Sequence, residues 1–177
     1  MTTPPPPPAD PSSAFLLALS DSLRPLADPA EAQAVACRLL GEHLGVDRSF
    51  YVEVDDATGT ARVRHCHTRA GSPSLAGEYR VADFGWAIPP MRRGELLALA
   101  DVTASPLVPE ADRPALAALR IAAHVNAPLV KNGVLVGVLC VTESRPRVWT
   151  AAEVGLVREV GERTWAAVER VNLPTSC

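Results

Sequence analysis

Residues 121–171 read IAAHVNAPLVKNGVLVGVLCVTESRPRVWTAAEVGLVREVGERTWAAVERV and decide the fold of this chain. The pattern predicts a strand, a tight turn at residues 131–134, a second strand and a long final helix. Asn132 and Gly133 both tolerate positive φ, which a two-residue type I′ hairpin requires. If this turn closes the hairpin, the numbers of facing residues sum to 265, which pairs Val130 with Leu135, Leu129 with Val136, Ala127 with Val138 and Val125 with Cys140.

Both strands of this hairpin are mostly apolar. Residues 134–141 read VLVGVLCV and show almost no alternation of polar and apolar side chains. We therefore expect the second strand to be covered on both faces and to lie in the middle of a layered domain. Pro128 cannot donate a hydrogen bond to a neighbouring strand, so the first strand should have an unpaired or bulged position there.

The final helix has a complete start signal. Thr150 is a favourable N-cap, and Glu153, three residues later, completes a capping box. Trp149 before the cap and Val154 after it form the pair expected of a hydrophobic staple. These signals agree and place the start of the helix directly after Thr150.

The composition is that of an ordinary globular domain. The 177 residues suit one domain, and 47% hydrophobic and 21% charged residues are typical values. A net charge of −3, scattered basic residues and few aromatic residues argue against a nucleic-acid partner. The chain has no apolar run long enough to span a membrane, no secretory signal and no paired cysteine motif. We therefore expect a reduced, cytoplasmic protein without a membrane partner.

The two ends of the chain are predicted to be tails. Residues 1–11 contain five consecutive prolines and are expected to form a disordered, solvated leader, although a partner that binds polyproline helices is an alternative. The domain is predicted over residues 12–172, and residues 173–177 form a short C-terminal tail.

The elements before the hairpin follow from their caps and periodicity. A first helix with Phe15, Leu16, Leu19 and Leu23 on one stripe should end at Pro25. A second helix should start after Asp28, bury Val35, Leu39, Leu40 and Leu44, and end at Gly45. Two strands should follow at residues 46–54 and 61–69, then a short helix from Asp83 that Pro89 and Pro90 end or kink, a third strand at residues 96–102 and a short helix within residues 105–120.

This order of elements predicts an α+β domain with a central antiparallel sheet and helices segregated on its faces. Several segments, in this order and spacing, resemble the GAF family of small sensory domains across about residues 14–171. They are LLGEHLGVDRSFYVEVD, SLAGEYRVADFG, LADVTASP and the hairpin with its final helix. The type that the chain most resembles precedes histidine kinases in bacterial two-component systems.

The resemblance implies a sheet of five or six strands with the first and last helices on one face. Short helices and loops would cover the other face and enclose a pocket for a small-molecule ligand. It also implies a homodimer through the N- and C-terminal helices and a signal passed to an output kinase or another signalling domain.

The triplet His65-Cys66-His67 is the most conspicuous candidate for chemistry. Consecutive strand residues point to alternate faces, so the three side chains cannot share one metal ion unless the strand bulges. We therefore predict no metal site and a partly exposed cysteine. The alternating pattern would also place Ala61, Val63, His65 and His67 on one face.

The cofactors known from the family are all disfavoured. Cys66-His67 has the order of a bilin attachment pair, but it lies in a strand, whereas the family's pair opens a helix. Ala87-Ile88-Pro89 only loosely resembles the phytochrome signature. Haem is also disfavoured, and Lys131-Asn132 reverses the signature of the branch that binds cyclic nucleotides. Cys37 and Cys140 are expected to be buried, so the branch that reduces free methionine sulfoxide lacks its nucleophile pair here.

Two polar residues, His124 and Asn126, interrupt the apolar first strand of the hairpin. The 265 rule places both on one face, opposite Val141 and Leu139. If that face is the pocket side, they become ligand contacts together with residues of the covering segment, namely Tyr79, Asp83, Phe84 and Trp86. The alternative, that they bond to the backbone of the irregular loop, is slightly favoured because buried polar groups are usually satisfied structurally.

The final helix carries two apolar stripes. One, with steps of three and four residues, resembles a coiled-coil seam and contains Val154, Val157, Gly161, Thr164, Val168 and Val171. The other contains Leu156, Val160 and Ala167 and could face the sheet. A paired helix and a single broad core-facing band are equally supported.

The sequence thus favours a non-catalytic sensory domain that binds a small molecule or a partner and signals through its terminal helices. Two alternatives stay open. One is an enzyme of the free methionine sulfoxide reductase type, and the other is a dimerisation module with a collapsed pocket.

Overall fold

The computed structural model describes Pro4, residues 11–69 and residues 71–172, without the side chain of Val171. The two predicted tails lie almost entirely outside these residues, so the domain boundaries stay predictions. Six strands form one antiparallel sheet in the order β3-β2-β1-β6-β5-β4. Their bounds are β1 Arg48–Asp55, β2 Thr60–Thr68, β3 Gly77–Arg80, β4 Leu97–Leu99, β5 Ala123–Lys131 and β6 Val134–Glu143. The predicted α+β class is confirmed.

Three long helices cover one face of the sheet, which we call the helical face. They are α1 Pro11–Leu23, α2 Pro29–Leu44 and α5 Ala151–Asn172. Leu40 of α2 and Val157 and Val160 of α5 are fully buried in the core that these helices form with the sheet. The first and last helices therefore pack on the same face, as predicted. Within the described residues, no helix combines the length and the apolar character needed to cross a membrane.

Short elements cover the opposite face, and we call them the cover. They are a 3₁₀ turn at Val81–Phe84, α3 Ile88–Arg92, a second 3₁₀ turn at Glu110–Asp112 and α4 Arg113–Ala118. The cover also includes the edge strand β3 and the loops within residues 71–92 and 105–122. The predicted helix from Asp83 is wrong in its bounds. Pro89 and Pro90 occupy the first turn of α3, where a missing N–H costs nothing, so they start a helix instead of ending one.

The hairpin of β5 and β6 has the predicted turn but not the predicted register. Asn132 and Gly133 have φ of 53° and 76°, as a type I′ turn requires. The residue numbers of facing partners sum to 265 only next to the turn, where Val130 pairs with Leu135. Farther from the turn the sum is 266, because a bulge leaves Val136 of β6 without a partner of its own. The irregularity therefore lies beside Pro128 and not at it. The corrected partners of His124, Asn126, Val125, Ala127 and Leu129 are Thr142, Cys140, Val141, Leu139 and Gly137.

Strand β6 lies between β1 and β5, and residues 137–142 are buried, so its predicted central position is confirmed. The absence of a side chain at Gly137 is required, because a Cβ there would lie 2.8 Å from the Tyr51 hydroxyl. Tyr51 thus fits against the sheet at the point where the bulge shifts the register.

The caps of the long helices agree with the sequence. The Thr150 hydroxyl accepts from the Glu153 N–H at 3.1 Å, and the Glu153 carboxylate accepts from the Thr150 N–H at 2.9 Å, which confirms the capping box. The Asp28 carboxylate accepts from the Ala30 N–H, and Gly45 ends α2 in the left-handed conformation. The predicted stripe of α2 is shifted, because Val35, Leu39 and Leu44 are only half-buried while small residues let α2 approach the sheet; its buried members are Ala32, Gln33, Ala36, Cys37, Leu40 and Gly41.

The two stripes of α5 merge into one broad band. Of the predicted seam, Val157, Gly161, Thr164 and Val168 are buried within this single chain, and so are Leu156, Val160 and Ala167 of the second stripe. Gly161 lies close to Leu139 of β6, which explains its place in the seam. For these residues, the arrangement found in this chain is the single core-facing band, one of the two alternatives that the sequence supported equally. Val171 lies outside the described side chains.

Candidate functional site

A cavity of about 130 Å³ lies between the sheet and the cover. Its floor consists of residues from β1, β2, β5 and β6, and its roof consists of residues from the cover. The wall residues that the structure describes include no Asp, Glu, Lys or Arg. Most are aliphatic or aromatic, among them Phe50, Val63, Ile88, Met91, Leu119 and Val138.

Five of the six predicted site residues line this cavity. Tyr79, Phe84 and Trp86 come from the cover, and His124 and Asn126 come from β5. Asp83 does not belong with them, because its side chain is exposed and pairs with Arg80 at 3.3 Å. The structure brings the five together, and their role as ligand contacts stays a prediction.

His124 is the most unusual residue of the wall. Its side chain is 4% exposed, and no described residue forms a hydrogen bond with its Nδ1. The alternative of a bond to the loop backbone therefore does not account for Nδ1. Burial lowers the pKa of the imidazole to about 4, which keeps the ring neutral near pH 7. Its ring centroid lies 6.1 Å from that of Trp86.

The other polar groups of the wall have different surroundings. The Tyr79 hydroxyl donates to the Leu75 carbonyl at 2.5 Å, and its ring meets Phe84 edge-on at 6.0 Å. Burial, followed by the nearby Cys66, raises the pKa of Tyr79. Asn126 is half-buried, and none of the described residues is bonded to its side chain. Of these groups, only the His124 imidazole is both deeply buried and unsatisfied.

A buried arginine bonds to the wall residue Thr142, and it was not predicted from the sequence. Arg48 of β1 is 1% exposed and donates to the Thr142 hydroxyl at 3.1 Å, the Arg120 carbonyl at 2.7 Å and the Pro73 carbonyl at 3.5 Å. Burial lowers the pKa of its guanidinium. The sequence signal was a charged residue just before the apolar residues Phe50, Tyr51 and Val52 of β1. Arg48 ties two loops of the cover to the sheet.

Strand β2 bulges beside β1 and separates the histidine–cysteine triplet. Phe50 pairs with Cys66 and Val52 pairs with Val63, so two residues of β2 face one of β1. Cys66 consequently packs on the cavity side, and His67 contacts the α2 side at Gly41. The predicted common face of Val63 and His67 is therefore wrong. Within the described part of the chain, no three His, Cys, Asp or Glu side chains are placed to share a metal ion.

The three described cysteines are poorly suited to nucleophilic chemistry. Burial raises the pKa of Cys37 to about 12 and also raises that of Cys140. Cys66 is half-buried, and burial raises its pKa despite the nearby Arg48 and hydrogen bonds from Leu75 and Ser74. All three remain protonated thiols near pH 7, which disfavours a thiolate nucleophile.

Comparison with known proteins agrees with this architecture. A family model described as the GAF domain matches residues 28–168. Among curated proteins, none matches the sequence.

Several solved structures share the fold. The phycocyanobilin-bound GAF domain from a cyanobacterial phytochrome superposes with a TM-score of 0.81 at 17% identity, over 96% of this chain and 100% of that one. The phycoerythrobilin-bound GAF domain from a cyanobacterial phytochrome gives 0.79 at 17% identity, over 93% and 97%. Residues 122–287 of a methyl-accepting chemotaxis protein give 0.73 at 21% identity, over 90% and 99%.

Proposed function

The chain belongs to the GAF family, and from this premise we propose that it is a non-catalytic, cytoplasmic sensory domain that binds a small molecule in the cavity under the cover. The observation that carries the proposal is the buried His124, which lines the cavity with an unsatisfied nitrogen. A buried polar group without a partner is rare in folded proteins and is expected where a ligand binds.

Strand β5 connects the cavity to the helical face. His124 and Asn126 line the cavity, while the intervening Val125 and the following Ala127 and Leu129 pack in the core beneath α5. Because alternate residues of one strand point to opposite faces, a ligand that shifts β5 changes the packing of α5 as well. We propose that the signal leaves the domain through α5.

The solved relatives support a sensory role. Two of them hold bilins, and a third is part of a methyl-accepting chemotaxis protein. We propose by analogy that this chain acts on an output domain, such as the kinase of a bacterial two-component system. The alternative of a methionine sulfoxide reductase is less well supported, because the described cysteines are protonated thiols and two of them are fully buried.

We propose further that the domain forms a homodimer through its terminal helices. Val157, Gly161, Thr164 and Val168 of the stripe of α5 that resembles a coiled-coil seam are buried within the chain, so the proposed contact uses other positions. Leu17 of α1 is 67% exposed and is a candidate for that contact. A dimerisation module with a collapsed pocket is disfavoured, because a cavity remains beside Phe84 and Trp86.

Native mass spectrometry of the full chain, purified from its own host, tests the binding function. We expect the wild-type protein to retain a small molecule that Ala87→Leu displaces, because Ala87 lines the cavity and a larger side chain fills it. Ala98→Leu makes the same change at an exposed position of β4 and should leave the bound molecule in place. A wild-type protein that carries no small molecule and is monomeric would contradict both the binding and the dimer.

A further inference from the structure

The size of the cavity restricts what it can hold. Pockets for drug-sized ligands typically measure about 300–1,000 Å³, whereas this cavity measures about 130 Å³. An apolar cavity of about 150 Å³ in another protein accommodates benzene. The ligand that fits without rearranging the cover is therefore of the size of a single six-membered ring. A tetrapyrrole or a nucleotide is several times larger.

The charge of the wall restricts the ligand further. None of the described wall residues is ionised near pH 7, because the only basic side chain among them is the neutral imidazole of His124. The nearest buried cation, Arg48, already donates to three oxygen atoms. Transfer of a carboxylate or an ammonium group into such a site without a partner is strongly unfavourable. The ligand must therefore be uncharged.

Among the described wall residues, one deeply buried hydrogen-bonding group still needs a partner. The His124 side chain is deeply buried with Nδ1 unsatisfied, and a neutral imidazole offers one acceptor nitrogen and one N–H donor. Trp86 provides an aromatic surface beside it, with ring centroids 6.1 Å apart. Tyr79 does not compete for this role, because its hydroxyl already donates to Leu75. A hydroxyl group on an aromatic ring would satisfy His124 while the ring fills the apolar part of the cavity.

Resting on the proposed function, we infer that the ligand is an uncharged phenol-like molecule, a single aromatic ring whose hydroxyl group forms a hydrogen bond with His124. The rest of its surface contacts the aliphatic and aromatic wall. The size of the cavity excludes bilins, haem and cyclic nucleotides. The lack of a charged residue among the described wall residues excludes benzoate-like acids.

Isothermal titration calorimetry of the full chain with three probes tests this inference. The probes are phenol, toluene and benzoate, which share the ring and differ in the polar group. We expect phenol to bind about five- to twentyfold more tightly than toluene, as one hydrogen bond to a buried group predicts. Benzoate at pH 7 should show no binding, because its carboxylate would be buried without a partner.

The variant His124→Leu checks the residue assignment. It removes the hydrogen-bonding group and keeps an apolar side chain of moderate size, so phenol and toluene should bind it with nearly equal affinity. His65→Leu makes the same change at an exposed position of β2, outside the cavity wall, and as the matched control should retain the preference for phenol. A second measurement needs no variant: phenol, but not toluene, should shift the ¹⁵N resonances of the His124 imidazole in the wild-type protein.

The outcomes separate this inference from the proposed function. Equal binding of phenol and toluene by the wild-type protein, or binding of benzoate, would overturn the inference and leave the cavity as a binding site. If no probe binds while the purified protein holds a molecule that Ala87→Leu displaces, the ligand class is wrong and the sensory function stands. If no probe binds and no molecule is retained, both fail.

Discussion

The two faces of the sheet are covered in different ways. On the helical face, helices of 13, 16 and 22 residues form a continuous core, and Leu40, Leu139 and Val160 are completely buried. On the other face, the helices of the cover have 5 and 6 residues, and Phe84 and Trp86 are only half-buried. The cavity lies on this second face.

This difference assigns different roles to the two faces. Long helices with capped ends bury apolar side chains densely, which is how most helical stability arises. Short elements around a cavity have fewer partners and can rearrange at lower cost, as ligand-binding segments must. Strand β5 contributes alternate side chains to both faces and is one direct connection between them.

Truncation of one large side chain on each face should give the largest difference in stability between the two faces. Leu139→Ala on the helical face should destabilise the protein by about 3–5 kcal/mol, because the long helices cannot collapse into the space. Ile88→Ala in the cover should cost only about 2 kcal/mol, at the low end for such a truncation, since α3 can move toward the sheet. Urea unfolding measures both free-energy changes, provided that the m-values of the variants equal that of the wild type. Equal losses would show that the cover is packed as rigidly as the helices.

Acid stability should depend on the cavity face through His124. Burial lowers the imidazole pKa from 6.5 to about 4, so the folded protein binds fewer protons than the unfolded chain between these values. The stability linked to His124 is therefore fully present above pH 6.5 and is lost as the pH falls toward 4, by roughly 3 kcal/mol.

Urea unfolding of the wild-type protein and of His124→Leu at several pH values isolates this contribution. Other groups, such as Asp47 and Glu53, whose pKa values are lowered by hydrogen bonds and nearby arginines, titrate in both proteins and cancel in the difference. The variant should lose less stability than the wild type between pH 6.5 and 4. Parallel pH profiles would mean that the His124 imidazole has the same pKa in the folded and the unfolded chain.

The capping box of α5 should reveal a smaller difference in stability between the two faces. Thr150→Ala removes the hydroxyl that accepts from Glu153 N–H and should cost about 1 kcal/mol. Thr150→Ser keeps the hydroxyl and should be nearly neutral. The short helices of the cover have no comparable bond, because neither α3 nor α4 has a side-chain cap. An effect of Thr150→Ala below the error of thermal unfolding would show that sheet packing alone fixes the start of α5.

The helical face was largely predictable from the sequence, because its signals are local. The capping residues, the type I′ turn at Asn132-Gly133 and the helix end at Gly45 all depend on a few neighbouring residues. The positions of the bulges could not be predicted, since each depends on contacts between distant segments. Tyr51 against Gly137 is one such contact, and it accompanies the register shift of β6.

The sequence indicated most of the residues of the candidate site, but not their arrangement in space. Polar residues in an apolar strand marked His124 and Asn126, and the aromatic residues of the irregular segment marked the roof. Asp83 was included with them, but its exposed carboxylate lies on a 3₁₀ turn and pairs with Arg80, outside the cavity wall. Arg48 was missed, because its acceptors, the carbonyls of Pro73 and Arg120 and the Thr142 hydroxyl, come from distant parts of the chain.

Substitution of two helical glycines should give the smallest stability changes, and their signs test the packing of the helical face specifically. Gly155 of α5 has no atom within 4 Å of an added Cβ, so Gly155→Ala should stabilise the protein by about 0.5–1 kcal/mol through helix propensity alone. Gly41 of α2 is also helical, but an added Cβ would lie 2.5 Å from the His67 ring and 3.2 Å from the Ser49 Cβ. Gly41→Ala should therefore destabilise the protein despite the same gain in propensity. Thermal unfolding of both variants measures the opposite signs. If Gly41→Ala were stabilising, α2 would be free to move away from the sheet, and the helical face would be as adaptable as the cover.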